Sequence, residues 1–287
     1  MGKPYFTIVI PAYDRIAELT LTLDYLQAQT FPQEETEVIV IDDSPMSNAP
    51  LTWNVVNELG YTYVWRHLRN VKRPVSSARK CGAAMARGKI VLWLDQDILL
   101  RYDSLLKIAK VHDTYSDIVV YPNIQISPHT YETYLNIPIS KVDQHFDQFG
   151  EVGAVDGGEI GGNMPGELWS NSEEPLPVFF HFGTTGMSLS RELAMSHDLW
   201  DCDMPGYAFD DIDFALACHT GKLRSVCCTD IRGIHMLHDR RRYDHHDHRA
   251  AHAYLIHKWQ EQRGIDLSWL PKEEQIWATI MSHFWNV

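Results

Sequence analysis

Lys89-Ile90-Val91-Leu92-Trp93-Leu94-Asp95-Gln96-Asp97 decides the reading of this chain. The apolar run from Ile90 to Leu94 has no polar alternation, which is the pattern of a strand covered on both faces of a parallel sheet. Two carboxylates one residue apart follow it at once. Just past a strand end, such a pair can share a hard divalent cation and a ribose or phosphate, and oxygen ligands suit Mg²⁺ or Mn²⁺ better than zinc. An ion held there would neutralise charge developing on a departing diphosphate. The plainer reading of a lone Asp-x-Asp is a solvated loop with helix-capping aspartates; its place after a buried strand favours the metal site.

Outward from this stretch, strands and helices alternate. Tyr5 to Ile10 is apolar and β-branched and stops at Pro11-Ala12-Tyr13-Asp14. Ile16, Leu19, Leu23 and Leu26 follow at helical spacing. Glu37 to Ile41 reads as a second strand ending in Asp42-Asp43-Ser44-Pro45, Tyr61 to Trp65 as a third, and Ser76 to Ala86 as a helix stopped by Gly88. Beyond the central motif, Tyr102 to His112 is helical and Ser116 to Tyr121 is a fifth strand. The alternation predicts an α/β fold, a Rossmann-like, mostly parallel sheet with helices on both faces. Ligands in such sheets bind at the carboxyl ends of the strands. Three of those ends carry polar groups: Ala12-Tyr13-Asp14, Asp42-Asp43 and Asp95-Gln96-Asp97.

Gly150 to Glu174 breaks the alternation, being acidic, glycine-rich and without periodicity, and is expected to be a loop or lid. Regular structure resumes at Val178 to Phe182 and Met187 to Leu189, with a short helix from Arg191. Asp210 to His219 is predicted helical with Gly221 as its stop, Arg224 to Cys228 a strand, and Asp244 to Arg263 a longer helix before an aromatic-bearing tail.

Three further clusters bear on chemistry. Arg69, Lys72, Arg73, Arg79 and Lys80 form a basic run in an acidic protein, either a solvated face or a grip on phosphates. Asp210-Asp211-Ile212-Asp213 opens a helix, where acidic residues serve as caps but also offer a general base. His235-Met236-Leu237-His238 sets two imidazoles three residues apart, one of which could complete a metal's coordination. Seven of the fifteen histidines fall between His235 and His257, and most of these are read as surface or core residues.

Composition narrows the function classes. A net charge of −13 over 287 residues argues against a nucleic-acid-binding surface. With 45% hydrophobic and 22% charged residues the chain has globular composition. No apolar run reaches the roughly 18 to 20 residues of a membrane span, and because Met1-Gly2-Lys3-Pro4 runs straight into a strand-like segment, no secretory leader is expected. A cytoplasmic protein with at most peripheral membrane contact is expected. The five cysteines (Cys81, Cys202, Cys218, Cys227, Cys228) show no CxxC spacing, so reduced thiols are expected.

In their order along residues 5 to 240, these blocks resemble the family 2 glycosyltransferases of GT-A fold. Ile8 to Arg15 is similar to that family's opening strand and nucleotide loop, and Val38 to Ser44 to its aspartate-ended second strand. Asn70 through Ser77-Ala78-Arg79-Lys80, with Ala86 to Asp97, looks like its central block. Gly186 to Glu192 followed by Phe209-Asp210-Asp211-Ile212-Asp213-Phe214 resembles its acceptor-side block, with Asp210 where the family usually has Glu and Lys80 where Asn is common.

The resemblance implies an inverting, metal-dependent transfer from a nucleotide-diphosphate sugar, UDP-linked by expectation, to a glycan, lipid-linked or other hydroxyl acceptor. Pro11, Ala12, Tyr13, Asp14, Asp43, Arg73, Arg79, Asp95 and Gln96 would hold the donor nucleotide. Asp97 and Asp95 with His238 or His235 would hold Mn²⁺ or Mg²⁺, and Asp211, beside Asp210, would be the base. His235 to His238 also looks like the end of a galactosyltransferase carboxyl-terminal module, which favours His238. On this view residues 1–122 form the nucleotide-sugar half, 123–240 the acceptor-binding catalytic half, and 241–287 a helical extension. Two other readings stand beside it. A nucleotidyltransferase of similar fold would need a glycine- and lysine-rich phosphate loop, which Pro11-Ala12-Tyr13-Asp14 is not. A non-catalytic sugar- or metal-binding module would use the histidine cluster as a responsive surface.

Overall fold

The computed structural model describes residues 2–66, 75–127, 129–141, 146, 167–170, 186–205, 209–238 and 245–268. Strands β1 (Phe6–Ala12), β2 (Thr36–Asp42), β3 (Thr62–Trp65) and β4 (Ile90–Trp93) lie parallel in the order β3-β2-β1-β4. Every residue of β1 and of β4 is buried, the outcome that unbroken apolar sequence demands when both faces are covered.

Helix α1 (Ile16–Gln27) covers one face, packing Leu19, Leu23 and Leu26 with Ile8 and Ile10, and Val56 of α2 (Ala49–Glu58) joins them. Helix α3 (Val75–Met85) covers the other, where Ala78 and Ala83 meet Val9, Ile39 and Ile41. The alternation of β1 side chains between these two clusters is the two-residue period of a strand. Contact on the α3 side is close: a Cβ on Gly82 would stand 2.2 Å from Val9 Cγ1, so only glycine lets the helix lie this near.

Past β4 the sheet turns mixed. β5 (Ile98–Leu100), α4 (Ser104–Thr114), β6 (Ile118–Ile126), α5 (Tyr131–Leu135), β7 (Glu167–Ser170) and β8 (Ser188–Ser190) come next. They are followed by α6 (Arg191–Ser196), α7 (Asp210–Thr220), β9 (Arg224–His235) and α8 (His245–Leu255). Helix α8 runs on into a π-helical turn, Ile256–Glu261. The strand order continues β4-β8-β6-β9-β5, with β7 on β9. β6 and β9 are parallel over nearly their whole length, and β8, β5 and β7 run antiparallel to their neighbours. Most register pairs are therefore parallel, in line with the expected sheet.

Four features differ from the sequence reading. β6 and β9 extend well past Tyr121 and Cys228, because each is the other's long neighbour and the pairing carries the polar residues Asn123, Gln125 and Arg232 that hide a strand from periodicity. Glu167–Ser170, within the stretch read as irregular, is a strand held by β9; the rest of 150–174 lies outside the described residues, as do 178–182 and 271–287. β5 was not anticipated, since three residues are too few to show a period. Nor was α2, although Asn48 followed by Pro50 is a helix-start signal.

His112 in α4 is 5% exposed, and its Nε2 lies 2.9 Å from Ser188 Oγ of β8. Burial, aided by Lys89, pushes its pKa down from 6.5 to about 4. Between these values the unfolded imidazole takes a proton that the folded one refuses, so stability is full above pH ~6.5 and falls as pH drops toward 4. The expected loss is up to about 3 kcal/mol. Urea unfolding of the wild type and of His112→Gln at pH 7 and pH ~4.5 measures it: the wild type should lose distinctly more. Equal losses in the two proteins would contradict the depressed value.

Candidate active site

β4 accompanies β1 only as far as Val9, paired with Trp93. The last residues of β1, among them Pro11 with no N–H to offer a second neighbour, pair with β2 alone. A crevice therefore opens between β1 and the chain leaving β4, at the carboxyl ends of parallel strands where α/β sheets place ligands. Asp95, Gln96 and Asp97 cross its floor.

Gln96 faces the β1 end. Its Oε1 accepts the Tyr13 N–H at 2.9 Å, its Nε2 donates to the Tyr13 carbonyl at 3.2 Å, and its own carbonyl accepts from Thr22 Oγ1 at 2.8 Å. The amide thus substitutes for a strand partner and fixes the Tyr13 backbone, while Tyr13 as a whole is 53% exposed. Asp14, at φ 53°, donates its N–H to Ser44 Oγ and accepts from Asn48 Nδ2. Pro11 and Ala12 are buried beneath this loop.

Asp97 is almost fully buried and gathers cationic and imidazole groups. Arg15 Nη1 lies 2.6 Å from Oδ2, His238 Nε2 3.2 Å from Oδ2, and His235 Nε2 3.6 Å from Oδ1. Strand register explains the histidines. β9 runs antiparallel to β5 with His235 opposite Ile98, and the Met236 N–H donates to the Asp97 carbonyl at 3.0 Å. Met236 itself is buried among Leu21, Tyr25, Leu99 and Ile234, which anchors the turn that brings His238 back.

One ligand atom each from Asp97, His235 and His238 lie within 4.8 Å of one another. Ligands at right angles on one cation with bonds of about 2.1 Å stand about 3 Å apart, so the three are slightly wider than a closed coordination sphere. The donor set fits a divalent metal, and imidazole nitrogen is a poorer ligand for the oxygen-seeking Mg²⁺ than for a softer divalent ion.

Asp95 and Asp97 diverge electrostatically. Burial raises the Asp95 pKa, partly opposed by Arg79 and reinforced by the neighbouring Asp97. Burial alone would also raise that of Asp97, but His235, His238 and Arg15 more than offset it and hold the carboxyl well below its usual range. Asp97 is therefore an anion with positive charge drawn onto it.

Arg79 ties this floor to α7. Its guanidinium is buried, pairs with Asp95 Oδ1 at 2.7 Å and with Asp210, and stands 4.9 Å from the Trp200 ring centroid. Trp93 donates Nε1–H to the Arg79 carbonyl and packs edge-on against Trp200 and Phe214. Asp210 is thus an ion-pair partner, whereas Asp211, exposed on the next position, accepts the Ile212 N–H at 2.8 Å. Asp43 is met by Arg66 through both carboxylate oxygens, and Asp42 accepts from Tyr63. Arg73, with Arg69 and Lys72, lies outside the described residues. Lys80, the other end of the basic run, pairs with Asp198 at the surface.

Of the residues the sequence nominates, the structure sets Asp97, His235 and His238 in one cluster and joins Asp95 to Asp210 through Arg79; Arg15 beside Asp97 and Arg66 beside Asp43 were not nominated. Arg15 follows Asp14 directly, whereas Arg66 stands 23 residues beyond Asp43, and no periodicity separates either arginine from a solvated one.

The fold that carries these residues is that of GT-A glycosyltransferases. S. aureus TarS 1–349 in complex with UDP-GlcNAc superposes with TM-score 0.61 at 16% identity, over 97% of this chain and 80% of that one. A mannosyltransferase from Pyrobaculum calidifontis, PcManGT in complex with GDP-Man and Mn²⁺, gives 0.57 at 17% identity over 99% of this chain and 71% of that one. The chain belongs to glycosyl transferase family 2, whose model matches residues 7–166. An uncharacterized glycosyltransferase of Bacillus subtilis, YfnE, is 23% identical over 91% of this chain and 72% of its own length. Validoxylamine A glucosyltransferase of Streptomyces hygroscopicus subsp. jinggangensis is 34% identical over 33% of this chain and 22% of its own. The chain also spans only 46% of the longer TarS chain it resembles. Among the described residues no helix is long and apolar enough to cross a membrane.

Proposed function

We propose that the protein transfers a sugar from a nucleotide-diphosphate donor, UDP-linked in our reading, to a hydroxyl acceptor with inversion, using Mn²⁺ in preference to Mg²⁺. The observation that carries this is the convergence of Asp97, His235 and His238 at the strand-end crevice. Solved relatives of the fold hold UDP-GlcNAc, or GDP-Man with Mn²⁺, and a related Escherichia coli protein, WfaP, is a UDP-Glc:α-D-GlcNAc-diphosphoundecaprenol β-1,3-glucosyltransferase. A lipid-linked acceptor is therefore part of the proposal.

In this reading Pro11, Ala12, Tyr13 and Asp14 form the wall for the nucleoside, with the exposed Tyr13 ring against the base and Gln96 keeping its backbone in place. Asp43, oriented by Arg66, retains lone pairs to accept from the base or ribose. Asp97, His235 and His238 would hold the metal, with Asp95 beside it for ribose or metal; once bound, the ion supplies Lewis-acid stabilisation to the departing diphosphate. Arg79 holds Asp95 and Asp210 at fixed separation, and Asp211 takes the proton from the attacking hydroxyl. Residues 1–122 then serve the donor and 123–240 the acceptor.

A panel of nucleotide sugars incubated with the protein and Mn²⁺, without acceptor, tests the reading. Slow release of free sugar from at least one donor, abolished by chelation and restored by Mn²⁺, is expected. A nucleotidyltransferase would instead consume a nucleoside triphosphate and release pyrophosphate. A binding module would bind a donor and leave it whole.

A further inference from the structure

Helix α8 and its π-helical turn make contacts with α7 that nothing in the proposed chemistry uses. Asp213, on the first turn of α7, is 2% exposed. Its carboxylate accepts from Lys258 Nζ at 2.6 and 2.9 Å and from Trp259 Nε1 at 2.6 Å. The same ammonium reaches Asp201 at 2.7 Å, and Tyr254 donates to that carboxylate at 2.9 Å. Lys258 and Trp259 stand in the π-helical turn, whose widened backbone, with the Gln262 N–H donating to the His257 carbonyl, presents both side chains to α7. Turns of this kind are concentrated at functional places in helices.

The amino end of α7 needs such support. Phe209, immediately before it, is left-handed at φ 60°, a costly conformation for a bulky residue that persists only where the surroundings over-determine it. Its ring stacks edge-on with His252 of α8 at 5.6 Å between centroids, and its carbonyl accepts the Asp213 N–H at 2.9 Å. Phe209, Leu216, Ala251, Leu255 and Trp259 form one apolar cluster. The helix start that carries Asp210 and Asp211 is thus pinned from below by Arg79 and from the side by α8.

We propose that Lys258, with Trp259, is a positioning residue: by clamping Asp213 and Asp201 it sets the placement of Asp211 against the attacking hydroxyl without touching substrate. The proposal rests on Asp211 being the base. Without the ammonium, Asp213 is a buried carboxylate short of its counter-charge; it must draw in water or rotate α7, and a misplacement of about 1 Å at a reacting group costs up to about 10² in rate. Arg79 still holds Asp210 to Asp95 in such a variant, so donor binding stays as it was.

Steady-state transfer kinetics of Lys258→Met, Lys258→Arg and Asp211→Asn test this, each assayed below its own melting temperature and with donor-nucleotide affinity measured by calorimetry. In Lys258→Met, kcat should fall about tenfold or more, with donor KM and nucleotide affinity within about threefold of wild type. Lys258→Arg, which restores the cation, should recover most of the rate. A wild-type kcat in Lys258→Met, while Asp211→Asn collapses turnover, sinks the clamp and leaves the base assignment standing. Parallel loss of nucleotide affinity and kcat without rescue by arginine also overturns it, since that marks general unfolding. Normal turnover in Asp211→Asn removes the base, and the clamp with it. Should Lys258→Met not fold, Asp201→Asn replaces it, and a wild-type kcat there counts against the proposal.

Discussion

Asp211→Asn is expected to lower turnover by about 10² or more while leaving nucleotide binding nearly intact. The substitution keeps size and the ability to accept the Ile212 N–H, so α7 should start as before. What it removes is the capacity to take a proton from the acceptor hydroxyl. Asp210 does not replace it, because that carboxylate is paired with the buried Arg79, which also holds Asp95. Changing Asp210 should therefore disturb donor and acceptor sides together, whereas changing Asp211 should touch kcat alone. Single-turnover rates with saturating donor and acceptor, alongside calorimetric titration with UDP, make the distinction. Turnover within a few-fold of wild type would move the base elsewhere.

Asp97→Ala is expected to abolish Mn²⁺-dependent nucleotide binding and, with it, turnover by about 10² or more, since Lewis-acid stabilisation of a departing diphosphate is worth several kcal/mol. The fold should survive, because the Met236 N–H donates to the Asp97 backbone carbonyl and not to its side chain. Removal of the carboxylate leaves Arg15, His235 and His238 around an empty place, three groups of one charge tendency with nothing to gather them. Calorimetry with UDP in Mn²⁺ and in chelator reads this directly. Wild type should show a difference between the two conditions, and Asp97→Ala should show none. If the variant still binds UDP more tightly in Mn²⁺, the cation sits on other residues.

Much of this site was legible before the fold was known, and the reason is local. Asp95 and Asp97 are announced by the strand before them, and Asp210 and Asp211 by the helix they open. His235 and His238 were found as a spacing of imidazoles past a strand, although that strand proved to end at His235 itself. Arg15, by contrast, is ordinary helix-start sequence until the crevice puts it 2.6 Å from Asp97. Arg79 was read as a grip on the donor's phosphates, yet the structure places it between two carboxylates at 3% side-chain exposure. Lys258 belongs to a helix read as an appendage, and nothing in its neighbours hints that Asp213 lies 45 residues upstream at bonding distance.

By itself the sequence determined the parallel half of the sheet, two of its covering helices (α1 and α3) and the acidic strand ends, because burial on two faces forces a continuous apolar run and short-range periodicity records it. Only the tertiary structure decided which charges meet: the β5–β9 register that sets His235 beside Asp97, the arginine bridging Asp95 to Asp210, and the lysine clamping α7. Electrostatic partners are chosen across the fold by distance and by exclusion of water, neither of which leaves a period in the chain.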